Sequence, residues 1–313
     1  MNSLIVGATG FLGSHLVESE YLSGHRVYGL GLDDSFPEHC DGEIIQLQDF
    51  EKLSFFFKSV KPSRVFHLAA LANEPGNHEQ KLELYNANLI GTVNLLDALV
   101  KSGFSGNLVY AGSCSVYGQP NDKQGFVSET DPVKPVLEYG LSKTMQEQAI
   151  TFYSQRYEFE AAIVRLFNMT GPGEPTKLVV SALCHRAWEA KKSRDGQIEI
   201  GATNTVRDFL DVRDVSAAFT HLMNQNFDGA VNVCSGRPVK IKEILEKVQK
   251  ISGVSNYHEL ESLKRKWDVP AIYGDNSLLR SIGWKEKYNL DLSIQSVWDE
   301  VQNRNSLNND KET

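Results

Sequence analysis

Three glycines near the start constrain this chain more than any other feature. They stand in Gly7-Ala8-Thr9-Gly10-Phe11-Leu12-Gly13, after the apolar run Leu4-Ile5-Val6 and before a helical stretch from Ser14. A glycine ending a buried strand permits backbone angles that a side chain forbids. A second lets the backbone approach a phosphate, and a third lets helix pack closely on strand. The helix N-terminus then offers free N–H groups and a positive dipole end to a pyrophosphate. A Gly-rich turn alone is weak evidence, but strand–turn–helix is the context the motif requires.

With 313 residues, the chain has room for one large α/β domain or two smaller ones. A net charge of −8 argues against a nucleic-acid-binding surface. Cys40, Cys114, Cys184 and Cys234 form no C-x-x-C pair, so they read as reduced thiols of a cytoplasmic protein. No metal site is expected, because no H-E-x-x-H or paired-cysteine pattern occurs. No signal-like segment precedes the first strand and no run approaches membrane-spanning length, so no membrane partner is expected.

Short runs rich in β-branched residues recur at residues 4–6, 26–30, 64–68, 107–111 and 161–166. Helical segments separate them, which predicts a doubly wound parallel sheet built from βαβ units. Residues 83–101 read as one long helix with Leu84, Ala87, Leu95, Leu96 and Leu99 at helical spacing. Residues 141–157 read as another. Beyond residue 166 come a rigid Gly-Pro loop at 171–175, helices at 178–190 and 241–251, and strands at 206–212 and 230–233. Residues 303–313 are polar and expected to fray. The expected division is a Rossmann dinucleotide-binding domain at 1–167 and a smaller C-terminal α+β substrate domain at 168–313. Residues 206–234 are expected to return to the first domain.

Tyr139 and Lys143 stand in Y-x-x-x-K, a spacing that puts both on one helical face. A free tyrosine has a pKa of about 10 and is a poor acid–base group near neutrality. A nearby ammonium should lower that pKa. Ser113 follows the strand at 107–111, at the carboxyl edge where ligands bind such sheets. Its hydroxyl is placed to polarise a carbonyl that the tyrosine protonates; the plainer alternative is a turn serine.

These residues together resemble an extended short-chain dehydrogenase/reductase, the NAD-dependent epimerase/dehydratase superfamily. Further matching stretches are His67-Leu68-Ala69-Ala70, Asn88-Leu89-Ile90-Gly91-Thr92, residues 113–118, Val164-Arg165-Leu166-Phe167-Asn168, and residues 206–215. The resemblance implies a Ser113/Tyr139/Lys143 triad. It implies cofactor contacts at Gly7, Thr9, Gly10, Phe11, Leu12 and Gly13 in the turn. Others are implied at Gly31, Gln46 and Leu47, at Leu68, Ala69, Ala70 and Asn88, and at Tyr139 and Lys143. Substrate contacts are implied at Ser113, Asn168 and Arg207. Within the superfamily the second half is similar to the GDP-4-keto-6-deoxy-D-mannose reductase group. Arg265-Lys266-Trp267-Asp268-Val269-Pro270 resembles that group's R-P-x-D-V-P, which makes Arg265 a further diphosphate contact. Pairing of Arg207 or Arg265 with Asp208 or Asp268 is the alternative.

Three departures bear on activity. Dehydratases carry an acidic pair after the triad Ser/Thr, where this chain has Cys114 and Ser115. Fucose-type epimerase-reductases have a cysteine two places after the serine, where this chain has Ser115; Cys114 reads as a buried small residue. NAD-selective members end the second strand with an acidic residue, and that place holds Gly31. The missing carboxylate leans the expectation to NADP(H) over NAD(H), although Asp33 and Asp34 are close enough to turn back. Gln46 stands where an aspartate usually meets the adenine amine.

The expected activity is reduction of a GDP-linked 4-keto-6-deoxy sugar, hexose or heptose, with Tyr139 as proton donor. The alternatives are an NAD-dependent nucleotide-sugar 4-epimerase and, from another class, a non-catalytic dinucleotide-binding regulatory protein. Apolar residues on more than one side of the long helices, among them Leu89, Ile90 and Val93, imply by resemblance a homodimer through a four-helix bundle.

Overall fold

The computed structural model describes residues 1–193, 196–263 and 269–309. Its centre is a seven-stranded sheet. Five strands come from the first part of the chain: β1 (Asn2–Val6), β2 (Arg26–Gly31), β3 (Cys40–Ile44), β4 (Arg64–His67) and β5 (Asn107–Ala111). Glu160–Leu166 and Gly229–Val233 complete it. The order across the sheet is Gly229–Val233, Glu160–Leu166, β5, β4, β1, β2, β3, with every pair parallel. Successive strands run outward from β1 to β3, then restart at β4 on the other side. That reversal leaves a crevice between the carboxyl ends of β1 and β4, where ligands bind sheets of this kind.

The apolar runs are continuous because both faces are covered. Leu4 and Val6 meet α2 (Phe50–Val60), α4 (Gly91–Lys101) and α5 (Glu138–Tyr157) through Leu53, Phe57, Leu95, Leu99 and Ile150. Ile5 points the other way, to α1 (Phe11–Leu22) and α7 (Val212–Asn224), through Leu16, Val17, Phe219 and Leu222. A smaller core lies beyond the sheet. There α6 (Val179–Lys191), α8 (Ile241–Ser252) and the C-terminal helix Leu290–Asn309 pack Leu183, Ile244, Val248, Val297 and Trp298 together.

Four elements differ from expectation. β3 is an exposed, polar edge strand, so no apolar run announces it. The helix read at 83–101 begins earlier, as α3 (His78–Tyr85), where Asn77 accepts the Gln80 N–H at 2.9 Å. It then widens into a π-helical turn, Asn86–Ile90, before α4. The strand read at 206–212 breaks at Asp208 into Val206–Arg207 and Phe209–Asp211, and α7 starts at Val212. The C-terminal helix runs on to Asn309, past the point where fraying was expected; residues 310–313 lie outside the described residues. Among the described residues no helix is long and apolar enough to cross a membrane.

Candidate active site

The Gly-rich turn is built around backbone contacts. Gly7 has φ +95°, and its N–H and that of Ala8 both donate to Leu30 O, at 2.8 and 3.1 Å. A Cβ on Gly7 would lie 3.0 Å from Ala69 N, and one on Gly13 only 2.1 Å from Gly7 O. The turn therefore holds the end of β1 against α1 and against the segment after β4 at distances only glycine allows. Helix α1 has no side-chain cap at Gly10 and no acidic residue in its first turn, so its N-terminus suits a pyrophosphate. Leu68 and Ala69 are pinned by N–H bonds to Val6 O at 2.8 and 2.9 Å, which places them and Ala70 across the crevice from the turn.

The π turn accounts for Asn88. Its side chain is fully buried, accepts the Leu71 N–H at 2.7 Å, and donates to Leu71 O at 3.0 Å and to Ser142 Oγ at 2.9 Å. It ties the segment after β4 to α5. Leu47 lies against α4, its carbonyl accepting from Asn94 at 2.9 Å, and Gln46 is exposed beside it.

The three triad residues converge. Ser113 ends the turn after β5, nearly buried, with its Oγ 2.6 Å from Ser115 Oγ. Tyr139 and Lys143 lie in the first two turns of α5. Burial pushes the Tyr139 phenol up to about 12, against a downward pull from its hydrogen bond with Ser113. The ammonium does not lower it, as the spacing alone suggested. Lys143 is instead drawn away: its Nζ donates to Ala111 O at 2.7 Å and sits 4.9 Å from the Tyr110 ring centroid and 5.9 Å from that of Tyr139. Burial brings Lys143 itself down to about 7, partly offset by the Glu147 charge. Behind the lysine lies a polar chain in which the Tyr110 hydroxyl donates to Gln146, Gln146 donates to Thr92, and Thr92 meets His67. Burial lowers His67 to about 3, so it stays neutral there.

Sequence reasoning missed Glu74. It reaches from the segment after β4 to the start of α5 and accepts the N–H groups of Glu138 and Tyr139 at 3.0 and 3.1 Å. Its carboxylate thus caps the helix at the tyrosine itself. Lys81 and Tyr85 both bond Glu138 beside it. No local motif signals a cap supplied from 64 residues away.

A cavity of about 250 Å³ opens in the second region, lined by Asn168, Arg207, Lys177, Arg186, Val179 and Leu183, among others. Asn168 and Arg207 thus meet in one place, with two cations that the sequence reading did not name. Asn168 donates to Asp208 O at 3.1 Å, and Arg207 to Val206 O at 2.7 Å. The carboxylate of Asp208 is fully buried and accepts N–H groups from Ser235 and Gly236 at 2.7 and 2.9 Å. Arg265, the other expected diphosphate contact, lies outside the described residues. Cys114 packs beside Val116, Tyr117 and Cys234, and burial pushes its thiol up to about 12, as suits a small structural residue.

Comparison with known proteins finds relatives that match nearly the whole chain. The chain is 29% identical over 308 residues to GDP-6-deoxy-D-mannose reductase of Pseudomonas aeruginosa, covering 96% of this chain and 97% of that protein. The solved structure of RMD from Pseudomonas aeruginosa, complexed with NADPH, matches with a TM-score of 0.84 at 27% identity, covering 97% of this chain and all of that one. UDP-glucose 4-epimerase of Thermus thermophilus, complexed with NAD, matches with a TM-score of 0.86 at 26% identity, covering 96% and 99%. The family described as NAD dependent epimerase/dehydratase matches residues 3–234, the span that holds both the Gly-rich turn and the triad. The chain, an extended short-chain dehydrogenase/reductase by fold and by sequence, belongs to that family.

Proposed function

We propose that this protein reduces a GDP-linked 4-keto-6-deoxy sugar with a nicotinamide dinucleotide. One observation carries the reading. Ser113, Tyr139 and Lys143 converge at the carboxyl edge of the sheet, and Cys114 beside Ser113 feels the charge of Arg207, which lines a cavity with Asn168, Lys177 and Arg186. Residues 7–13, 68–70 and Asn88 would hold the dinucleotide, and the glycine contacts fit it. When bound, that cofactor supplies the hydride.

The chain's own residues do the rest. Tyr139, with its phenol raised to about 12, is protonated in the resting protein and is placed to give its proton to the sugar's ketone oxygen. Ser113 orients that oxygen. Lys143, released from Ala111 O, would hold the cofactor's ribose and support the phenolate that remains. The cations of the cavity suit a diphosphate. Cys114 and Ser115 provide no carboxylate to remove and return protons, which speaks against water elimination. Likeness to GDP-6-deoxy-D-mannose reductase supports guanine as the base and a 4-keto sugar as the substrate.

The rival 4-epimerase reading draws on the Thermus thermophilus likeness. A turnover screen of GDP-, UDP- and dTDP-linked 4-keto sugars, run beside the matching 4-hydroxy sugars, decides between them. Stoichiometric oxidation of NADH or NADPH with the GDP sugar is the expected result. Interconversion of sugar epimers with no net cofactor consumption would replace reduction with epimerisation. Arg207→Ala should weaken GDP, UDP and dTDP alike in calorimetry, because it removes a phosphate contact and not a base contact.

A homodimer belongs to the same reading. Ile90 is 46% exposed, Leu141 37% and Phe152 59% on the outward faces of the π turn and α5. Apolar side chains there suit pairing of two copies into a four-helix bundle.

A further inference from the structure

An acidic ribose ligand at the end of β2, where it is missing, would crowd its neighbours. A Cβ on Gly31 would lie 2.8 Å from Thr9 Cγ2 and 3.0 Å from Phe36 Cζ. Phe36 is half-buried and packs on the core cluster that holds Ala8 and Leu12. Its ring lies against glycine at three places. A Cβ on Gly42 would fall 2.2 Å from its Cγ, and one on Gly29 would fall 3.3 Å from its Cδ1. Gly29 and Gly42 are partners in the β2–β3 register, and Gly31 lies two residues on, on the same face of the sheet. Glycine inside a strand marks close approach of another group, and here the group is one phenyl ring.

The slot borders the Gly-rich turn. The same Gly29 Cβ would meet Ala8 Cβ at 2.8 Å. This is the side of the turn where the adenosine ribose belongs in such folds. A 2′-phosphate on that ribose needs cations and N–H donors. It would meet an aromatic ring and the carboxylates of Asp33 and Asp34, both exposed. Asp33 is bonded to the Ser35 N–H at 3.0 Å and turns its charge into this loop. Positions 27 to 51 contain no lysine or arginine.

We infer that Phe36, seated in the slot of Gly29, Gly31 and Gly42, selects the dinucleotide, admitting NAD(H) and excluding the 2′-phosphate of NADP(H). This reverses the leaning drawn from Gly31 alone. The missing carboxylate leaves no room for a phosphate, because the ring takes that room. The inference rests on the dinucleotide site of the proposed function and not on the identity of the sugar.

The test is direct binding, without any sugar nucleotide. Dissociation constants for NADH and NADPH are measured by calorimetry at one ionic strength for the wild type, Phe36→Ala and Phe36→Arg. The wild type should bind NADH at least tenfold more tightly. Phe36→Ala should narrow that ratio to about threefold or less, and Phe36→Arg should invert it. Should Phe36→Arg fail to fold, shown by loss of its thermal transition, the alanine variant decides alone. Equal or tighter binding of NADPH by the wild type would overturn the inference. So would an NADH preference that survives Phe36→Ala unchanged, since the carboxylates would then be selecting. Failure of every GDP sugar to turn over would leave these measurements untouched.

Discussion

At the residue scale the proposed chemistry rests on two side chains whose proton affinities move apart. Tyr139 is raised to about 12 and Lys143 lowered to about 7, both chiefly by burial. Replacing Tyr139 with Phe should cut kcat by on the order of a hundredfold to ten-thousandfold while leaving dinucleotide affinity nearly intact, the usual worth of a placed general acid. Steady-state rates with calorimetric binding check both halves; near-normal turnover removes Tyr139 from the reaction. Lys143 sets a pH dependence. Below about 7 the lysine carries the ammonium, which, once released from Ala111 O, would support the phenolate left when the tyrosine gives up its proton. Reductive kcat/KM should therefore be flat below that pH and fall above it. A flat profile to pH 9 would show that the lysine keeps its proton throughout. The convergence of Ser113, Tyr139 and Lys143 was legible because its signal is local: four residues of spacing in one helix, and a serine at the end of one apolar strand. Glu74, Lys177 and Arg186 were not, because each gains its meaning from a neighbour distant in sequence.

At the scale of elements, packing overruled periodicity in specific places. The helical pattern at 83–101 was real, yet the extra turn of π-helix that presents Asn88 leaves no mark on apolar spacing. Residues 206–212 looked like one strand because Val206, Phe209, Leu210 and Val212 are apolar. Asp208 breaks it by turning its carboxylate inward to backbone N–H groups of residues 235 and 236. A second buried carboxylate acts on α6. Glu174 accepts from Thr170 Oγ1 at 2.6 Å and from the Ser181 N–H at 3.2 Å, holding the loop at 171–178 to the first turn of that helix. Burial raises it to about 7, against the opposing pull of these bonds. Between about pH 4.5 and 7 the folded chain keeps a proton that the unfolded chain has released. This group's contribution to stability is thus present at low pH and lost as pH rises through 7. Glu174→Gln retains both partners, with the amide donating to Thr170, but cannot titrate. Thermal melts should show a smaller loss of Tm from pH 5 to 7 in the variant than in the wild type. Identical slopes would mean the carboxyl titrates at its ordinary value.

At the scale of the whole molecule, the proposed homodimer is tested at the exposed apolar face of α5 and the adjoining π turn. Light scattering at micromolar concentration should give twice the chain mass, and Ile90→Glu with Phe152→Glu should give single chains that still bind dinucleotide. A wild-type monomer would leave those side chains without a partner copy. The parallel sheet itself was legible from five apolar runs, because strands buried on both faces need no alternation. Its seventh strand has a different consequence. Gly229–Val233 pairs with Glu160–Leu166, and α7 just before it lays Phe219 and Leu222 over the face that α1 also packs against. These pieces are made after the whole intervening stretch of the second region. A nascent chain stopped at residue 167 would expose a long unpaired strand edge and an open apolar face, the features that recruit chaperones or seed aggregates. The order of synthesis thus makes the dinucleotide half wait: it is finished only when residue 233 has left the ribosome, after residues 168–205 of the second region and ahead of that region's later helices.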